Sequence, residues 1–186
     1  MSASLFPAII SVAEKYKASG KDLILATVSG SEIATKVGLS LGQENVYALG
    51  FHPTCCGGPF GCAVASGKLL GLKRNELAEA ISIAAIQAGG LYLTGGAEVP
   101  AANMSLAVAM SSQSGVRAAM LAQIGITAFD MTLEDKRGFL RSHSRNPDQA
   151  QLTDGLGKRY EIKELCLKEY SIGIYHNTSL EALIER

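Results

Sequence analysis

The chain has 186 residues, of which 47% are hydrophobic and 18% are charged, and its 17 basic and 17 acidic side chains balance to a net charge of +0. Globular domains typically carry about 25% charged residues, so we predict that part of this apolar surface is buried against a partner or further chain. The sequence lacks the clustered lysines and arginines of a nucleic-acid-binding surface.

The N-terminal residues "MSASLFPAII" lack the basic start and long apolar core of a secretory signal. The four cysteines, Cys55, Cys56, Cys62 and Cys166, form no C-x-x-C pair, which argues against a structural zinc site. Together these features predict a cytoplasmic protein with free thiols.

Residues 79–117 are the segment with the strongest resemblance to a membrane hairpin, because Glu98 is the single charge between Glu79 and Arg117. Gln87, two glycine pairs and Pro100 interrupt the apolar run, whereas a spanning helix needs about 20 predominantly apolar residues. We therefore predict buried helices with small side chains and no membrane span.

Helical patterns occupy the N-terminal part of the chain. Apolar positions recur at helical spacing over residues 5–17, and Ser19 with Asp22 forms a capping-box pattern for a helix over about 20–41. The segment "GFHPTCCGGPFG", residues 50–61, is interpreted as a loop. Pro59 is predicted to begin the following helix, which ends at Gly71.

The pattern changes along the second half. Asn75 is predicted to cap a helix through about Ala88, a further helix covers about 100–124, and a short one begins at Thr132. Beyond Arg141 the sequence is polar and loop-like. The segment "YEIKELCLKEYSIGIY", residues 160–175, then predicts one or two strands, and Thr178 with Glu181 forms a capping-box pattern for a last helix. One or two strands and a single short helix cannot bury both faces of a sheet. The segment after Arg141 is therefore interpreted as the beginning of an α+β domain.

The segment 50–61 admits several chemistries. His52, Cys55 and Cys56 lack an evident fourth ligand for a metal, and a disulfide between adjacent cysteines is strained. A phosphate loop is excluded by its spacing and by Leu69, which stands where serine or threonine would bind magnesium. A glycine-rich turn before a helix suits an anion such as a carboxylate, with His52 as acid or base. The alternative is that the histidine and the turn only shape the chain.

Three further side chains, Lys168, His176 and His143, carry groups that could be functional. Lys168 has apolar neighbours in "LCLKEY", so it is either a surface lysine lying along apolar groups or a functional cation. His176 is a second candidate near the C-terminus, and His143 is interpreted as solvated in a polar loop. No Ser-His-Asp or Cys-His nucleophile set is evident.

Motifs along nearly the whole chain resemble the MmgE/PrpD family, which includes 2-methylcitrate dehydratase, cis-aconitate decarboxylase and iminodisuccinate epimerase. They are "SGKDLILATVSGSEIATKVG", "GFHPTCCGGPFGCAVASGKLLGL", "SGVRAAMLAQIGIT", "RGFLR" and "LTDGLGKRYEIKELCLKEY", in this order. The resemblance implies a mainly α protein: part of an all-helical domain over residues 1–142, then the beginning of a small α+β lid domain over 143–186.

The resemblance also implies a function. Family members act without a metal or cofactor on small di- and tricarboxylates and usually form homodimers. By motif match His52 and Lys168 are the expected catalytic residues, and the expected substrate contacts are Thr54, Gly57, Gly58 and His176. The implied partners are a small carboxylate and a second copy or another chain, with no nucleic acid and no membrane.

The sequence departs from the family pattern at two positions. Met104 and Ala107 stand where the family has a lysine and a histidine, and loss of such groups typically costs about 10²–10⁴-fold in rate each. The sequence thus predicts a partial or degenerate member, related to dehydratases and decarboxylases and, if active, a carbon–oxygen lyase. The alternative is a non-catalytic helical scaffold, a partner subunit or a gene fragment.

Overall fold

Helices dominate the computed structural model of the chain, which describes residues 1–92, 101–170, 172–173 and 176–184. Two short 3-10 turns, Gln149–Leu152 and Glu161–Glu164, follow the main helices. The helices in chain order are α1 (Ser2–Tyr16), α2 (Gly20–Leu41), α3 (Gln43–Ala48), α4 (Pro53–Leu69), α5 (Arg74–Gln87), α6 (Ala101–Gln123), α7 (Phe139–His143) and α8 (Asn177–Ile184). The prediction of a mainly α fold is confirmed.

Helix α4 is the centre of the fold, and α1, α2, α5 and α6 all pack against it. Every residue from Cys55 to Gly67 is buried. This stretch, "CCGGPFGCAVASG", consists almost wholly of small side chains, so neighbouring helices can approach from every side. A helix that is apolar all round belongs in the interior of a protein, and α4 occupies that place.

The crossing of α2 and α4 depends on two facing glycines. A methyl group at position 30 would lie 2.7 Å from the carbonyl oxygen of Gly61, and one at position 61 would lie 2.5 Å from that of Gly30. The obstacle is backbone in both cases, and backbone cannot rotate away as a flexible side chain does. The two helices therefore approach at a distance that only glycine permits at these positions.

Helix α4 begins six residues earlier than predicted, so the placement of its start at Pro59 was wrong. His52 is the extended residue before the helix, with φ −100° and ψ 121°, and Pro53 takes the first helical position, where its missing N–H is tolerated. Pro59 lies inside the helix. Because proline has no N–H to donate to the residue four before it, the carbonyl of Cys55 instead accepts a bond from the Gly89 N–H at 3.4 Å.

Of three further predicted helix starts, that of α2 is correct, that of α5 is displaced and that at Thr132 is wrong. The Ser19–Asp22 capping box is present, and α2 begins at Gly20 as expected. The capping position of α5 is Lys73 and not Asn75, because the Glu76 carboxylate accepts the Lys73 N–H at 2.6 Å. The helix predicted at Thr132 is wrong: the chain turns there, the Phe139 N–H reaches the Thr132 carbonyl, and α7 begins only at Phe139.

Residues 144–161, here called the strap, run back along α2. The Ser144 hydroxyl donates to the Leu41 carbonyl at 2.6 Å, and the Asp148 N–H donates to the Ser40 carbonyl at 2.8 Å. Further along, the Lys36 ammonium donates to the Asp154 carbonyl at 2.5 Å. The strap is thus bonded to successive turns of α2, from the end of the helix towards its middle.

A buried ionic cluster fixes the end of the strap. The ammonium of Lys36, which is 1% exposed, lies 3.6 Å from Glu32 and 3.5 Å from Glu161. The other Glu32 oxygen accepts the Glu161 N–H at 2.8 Å, and Arg159 bonds Glu161 and Asp154 at 2.9 Å each. The Arg159 hydrogen bonds hold the pKa of Glu161 below its ordinary value. Each buried charge therefore has an opposite charge beside it, as burial requires.

The predicted strands over residues 160–175 are absent from the part of this segment that the structure describes. Glu161–Glu164 forms a 3-10 turn, and Leu165 to Tyr170 lack regular structure. A strand needs a neighbour for its backbone groups, and the extended pairing among described residues is a single bridge between Phe51 and Leu91. The lid domain, and the boundary between residues 142 and 143, stay predictions.

Apolar side chains remain on the surface of several helices. Leu106 and Met110 on α6 are 62% and 48% exposed, and Phe6 and Ile10 on α1 are 44% and 46% exposed. Ala3, Pro7, Met104 and Val108 line a groove between these two helices. Within the described residues, none of the helices combines the length and apolar character needed to cross a membrane.

The glycine contact between α2 and α4 predicts a position-specific cost. Gly30→Ala should lower the free energy of unfolding by about 1–3 kcal/mol, because the methyl group overpacks a backbone contact. Gly20→Ala is the matched control on the same helix, since a methyl group there meets nothing within 4 Å. It should be neutral or stabilising, as alanine favours helix. Urea unfolding of both variants measures the difference, and equal effects would contradict a glycine-dependent crossing.

The ionic cluster predicts a large effect of removing its cation. Lys36→Met should cost about 3–5 kcal/mol in unfolding free energy, because the buried Glu32 carboxylate loses its cation and Glu161 is left with Arg159 alone. The exposed Lys21→Met on the same helix should change stability by less than about 0.5 kcal/mol. The combined Glu32→Gln, Lys36→Met, Glu161→Gln chain should recover most of the loss. A Lys36→Met chain as stable as the parent would rule out this description.

Candidate functional site

His52 lies at the junction between the short α3 region and the central helix. It is half-buried, and its backbone N–H donates to the Gly90 carbonyl at 2.9 Å. The Tyr92 N–H donates to the Gly50 carbonyl at 2.7 Å, and Phe51 bridges Leu91. Two short arms, residues 50–52 and 89–92, thus hold the histidine at the start of α4 from both sides.

The His52 ring lies among aromatic rings. Its centroid is 5.8 Å from Tyr92, with planes 28° apart, and 6.3 Å from Tyr47 in an edge-on arrangement. The two tyrosines contact each other at 4.7 Å. This group of three rings, here called the aromatic cluster, is partly open, since Tyr92 is 38% exposed.

The electrostatic state of His52 follows from this environment. Burial lowers the pKa of His52 below its ordinary value, with a smaller contribution from the positive N-terminal amine. The ring is therefore neutral at pH 7. Its Nδ1 atom is buried and has no hydrogen-bond partner among the described residues. A neutral imidazole with an unsatisfied nitrogen is a group that can accept a proton or a hydrogen bond from a ligand.

The other residues predicted in the motif have different positions. Thr54 is half-buried in the first turn of α4, two residues from His52. Gly57 and Gly58 lie one turn deeper and are buried. Positions for a methyl group at Gly57 and Gly58 are filled by the Ala34 carbonyl and by Ser4 and Ser111 respectively. The glycine-rich turn was a wrong prediction, because these glycines are helical and let α4 pack closely.

Lys168 and His176 are not joined to His52 by any contact between described residues. Lys168 is exposed and donates to the Ile172 carbonyl at 3.0 Å. His176 is also exposed, and its N–H donates to the Gly173 carbonyl. Their predicted roles as carboxylate anchor and substrate contact therefore stay predictions.

The two positions that depart from the family pattern lie on α6. Met104 is half-buried in the groove between α1 and α6, and Ala107 is half-buried nearby on the same helix. Neither supplies a cation or a proton carrier. Any such group acting beside His52 has to come from another part of the sequence or from another chain.

The structure corrects the interpretation of His143 as a solvated loop residue. It ends α7, and its ring lies 4.2 Å from Phe139 and 4.5 Å from Phe51. Burial lowers the pKa of His143 below its ordinary value. The signal in the sequence is weak, because a histidine four residues after Phe139 is also compatible with a polar surface.

The cysteines of the motif are packing residues. Cys55, Cys56 and Cys62 are free and fully buried, and burial raises the pKa of Cys56 and of Cys62 to about 12. Such thiols are unreactive near neutral pH. Over the described part of the chain, no three histidine, cysteine or acidic side chains converge as a metal site would require.

Tyr47 and Tyr92 were not predicted as site residues. Tyr47 stands five residues before His52, and Tyr92 follows the glycine pair Gly89–Gly90. The positive φ angles of both glycines, 143° and 154°, let the chain after α5 return towards α4. The glycine pair is the one feature of the sequence that could have indicated this return.

Comparison with known proteins agrees with the resemblance. The profile of the MmgE/PrpD N-terminal domain matches residues 1–152. A cis-aconitate decarboxylase-like protein of Aspergillus oryzae is 28% identical over 96% of this chain and 39% of its own length. Cis-aconitate decarboxylase of Aspergillus terreus is 28% identical over 92% of the chain and 37% of its own length. The human cis-aconitate decarboxylase is 30% identical over 74% of the chain and 29% of its own length.

The range matched by the profile, residues 1–152, contains His52 and helix α4. The chain spans about two fifths of the length of the first two relatives. It belongs to the MmgE/PrpD family and corresponds to part of the family's longer proteins.

Proposed function

We propose that this chain contributes the histidine-bearing part of a site for small di- or tricarboxylates, in a metal-independent lyase of the MmgE/PrpD type. His52 is the acid–base residue, and Lys168 anchors a carboxylate. The names of the relatives given above support a substrate of the cis-aconitate class, and the resemblance to the family adds 2-methylcitrate as a candidate. The proposal extends to a cytoplasmic homodimer or a complex with another chain.

The observation that carries this proposal is the state of His52. The ring is neutral, it is half-buried beside two tyrosines, and its Nδ1 has no partner in the described part of the chain. A buried nitrogen without a hydrogen-bond partner is unfavourable unless a ligand or another group forms a hydrogen bond to it. A ligand that donates or takes a proton there would satisfy it.

The chemistry requires only a proton carrier and a charge anchor. In a dehydration, the base takes a proton from the carbon next to a carboxylate, a carbon–carbon double bond forms, and hydroxide leaves as water after protonation. In a decarboxylation, carbon dioxide leaves, its bonding pair moves into the remaining skeleton, and a proton is added to carbon. A neutral imidazole suits the proton-accepting step, and cations or donors stabilise the charge that develops.

A second candidate function is a non-catalytic partner subunit. Met104, at a usual lysine position, lines the apolar groove between α1 and α6, and apolar side chains remain exposed on both helices. Exposed apolar patches mark contact surfaces. Stable assembly in light-scattering measurements, together with no carboxylate binding by the assembled chain, would favour this candidate over the first.

Loss of His52 should weaken carboxylate binding. His52→Gln should bind cis-aconitate or 2-methylcitrate about 10- to 100-fold more weakly than the parent in calorimetric titration, because a hydrogen bond to a charged group contributes about 1.5–3 kcal/mol. In a hydration and decarboxylation assay, any turnover should fall by about 10²–10⁴-fold. Absence of binding by the parent chain, or equal binding by His52→Gln, would remove the carboxylate-site proposal.

Lys168 has a matched control in the same segment. Lys168→Ala should weaken binding of a dicarboxylate, whereas Lys163→Ala, also exposed and five residues earlier, should leave it unchanged. The difference should shrink at high salt, because ions screen exposed charges. Equal weakening by both substitutions would indicate a general charge effect and exclude a specific anchor at Lys168.

The lowered histidine pKa values predict acid sensitivity of the fold. Burial holds the pKa of His52 and of His143 below about 6.5, the value expected in the unfolded chain. Below that pH the unfolded state binds protons that the folded state does not, so the unfolding free energy should fall as pH decreases from about 6.5. Urea unfolding between pH 7.5 and 5.5 measures this slope. His143→Phe should reduce it, and an unchanged slope would contradict burial as the cause.

A further inference from the structure

The His143 ring packs against two phenylalanines. Its ring is stacked on Phe139 at 4.2 Å, with planes 27° apart, and lies 4.5 Å from Phe51. Its Nδ1 is 3.0 Å from the carbonyl oxygen of Phe139, the first residue of α7. Its Nε2 is 3.7 Å from the position that a methyl group would take on Gly89.

Two of the three residues beside His143, Phe51 and Gly89, belong to the arms that hold His52. Phe51 directly precedes His52, and Gly89 directly precedes the residue whose carbonyl accepts the His52 N–H. The arms are joined by one bridge and a few backbone bonds. So short a pairing is marginal by itself in water, and contacts with packed side chains add to its stability.

We propose that His143 is a positioning residue for His52. Packed between Phe139 on α7 and Phe51 on the first arm, and close to Gly89 on the second, it holds the two arms together. It thereby sets how deeply His52 lies in the aromatic cluster. The proposal assigns His143 no contact with a substrate, and it rests on the proposed function only where His52 is said to act on one.

The chemistry of histidine fits this place. Its ring is stacked on Phe139 and lies at a tilt of 46° against Phe51, while its N–H reaches the carbonyl of its own helix. The contacts of the ring with Phe51 and Gly89 are the ones that reach the arms. Phenylalanine at 143 keeps the flat face and loses the N–H. Glutamine offers an N–H donor and loses the flat face. The two substitutions therefore separate support of the arms from closure of α7.

The test compares His143→Ala, His143→Phe and His143→Gln with the exposed-histidine control His176→Ala, all without ligand. Proton–carbon correlation spectra follow the His52 ring through a pH titration, and hydrogen exchange follows the His52 N–H bonded to Gly90. In His143→Ala the titration midpoint of His52 should rise towards about 6.5. The exchange of its N–H should accelerate at least about tenfold, because the arms separate. His143→Phe should keep the parent's titration midpoint and exchange rate, and so should His176→Ala. His143→Gln should show the same raised midpoint and faster exchange as His143→Ala.

Two results would overturn the proposal: parent-like His52 values in both His143→Ala and His143→Gln, or a His143→Phe chain that loses them while its near-ultraviolet circular dichroism stays native. If His143→Ala does not fold, the comparison of Phe with Gln decides. Carboxylate titration of the same variants is read separately. A parent chain that binds no carboxylate removes the proposed function, and the ligand-free measurements still decide the role of His143.

Discussion

The close approach of α2 and α4 at Gly30 and Gly61 is the constraint on which the remaining structure depends. Each glycine lies against the backbone of the other helix, so the spacing of the two helices is fixed by main-chain atoms. The mostly small buried side chains of α4 then let α1, α5 and α6 pack against it as well. The glycines of the His52 motif serve the same end, because Gly57 and Gly58 meet α2 and the serines of α1 and α6.

The position of the strap on α2 depends on charged groups as well as on packing. Glu161 is the last buried residue among those that the structure describes, and it is held by Lys36, Arg159 and the carboxylate of Glu32. An ion pair taken out of water gains little net stability, but leaving one member unpaired is costly. Such a cluster therefore favours a single register of the strap on α2, since a shift would leave buried charges unpaired.

The sequence predicted the helices whose limits are set locally and missed contacts set by distant residues. The Ser19–Asp22 capping box marks α2 correctly, because both partners lie within one turn. Pro59 misled the prediction because proline is usual at helix starts. Its place inside α4 depends on Gly89, thirty residues away, which bonds the carbonyl that proline leaves free. Strands predicted from residue preference over 160–175 require a pairing partner, and the described residues supply none there.

The candidate site was predicted in part for the same reason. His52 follows from its motif, but its neighbours Tyr47, Tyr92 and His143 come together only through tertiary contacts. The glycine pair Gly89–Gly90 indicates a return of the chain, but no short pattern in the sequence identifies which side chains then meet. Gly57 and Gly58 are helical and buried, where the absence of a side chain permits close packing, and their predicted contact with a substrate stays a prediction.

The proposed role of Lys168 requires that its ammonium group lie close enough to His52 to contact the same ligand. It follows Glu161 by seven residues, a span of at most about 25 Å when extended, and all seven are exposed or half-buried. Nothing in the described part fixes its distance from His52. A bound dicarboxylate would place negative charge near His52 and favour the imidazolium form, in opposition to the burial that keeps the ring neutral now. In the proposed carboxylate site, binding and proton uptake would therefore be coupled at His52, and a lysine that approaches the same ligand would weaken that coupling by sharing its charge.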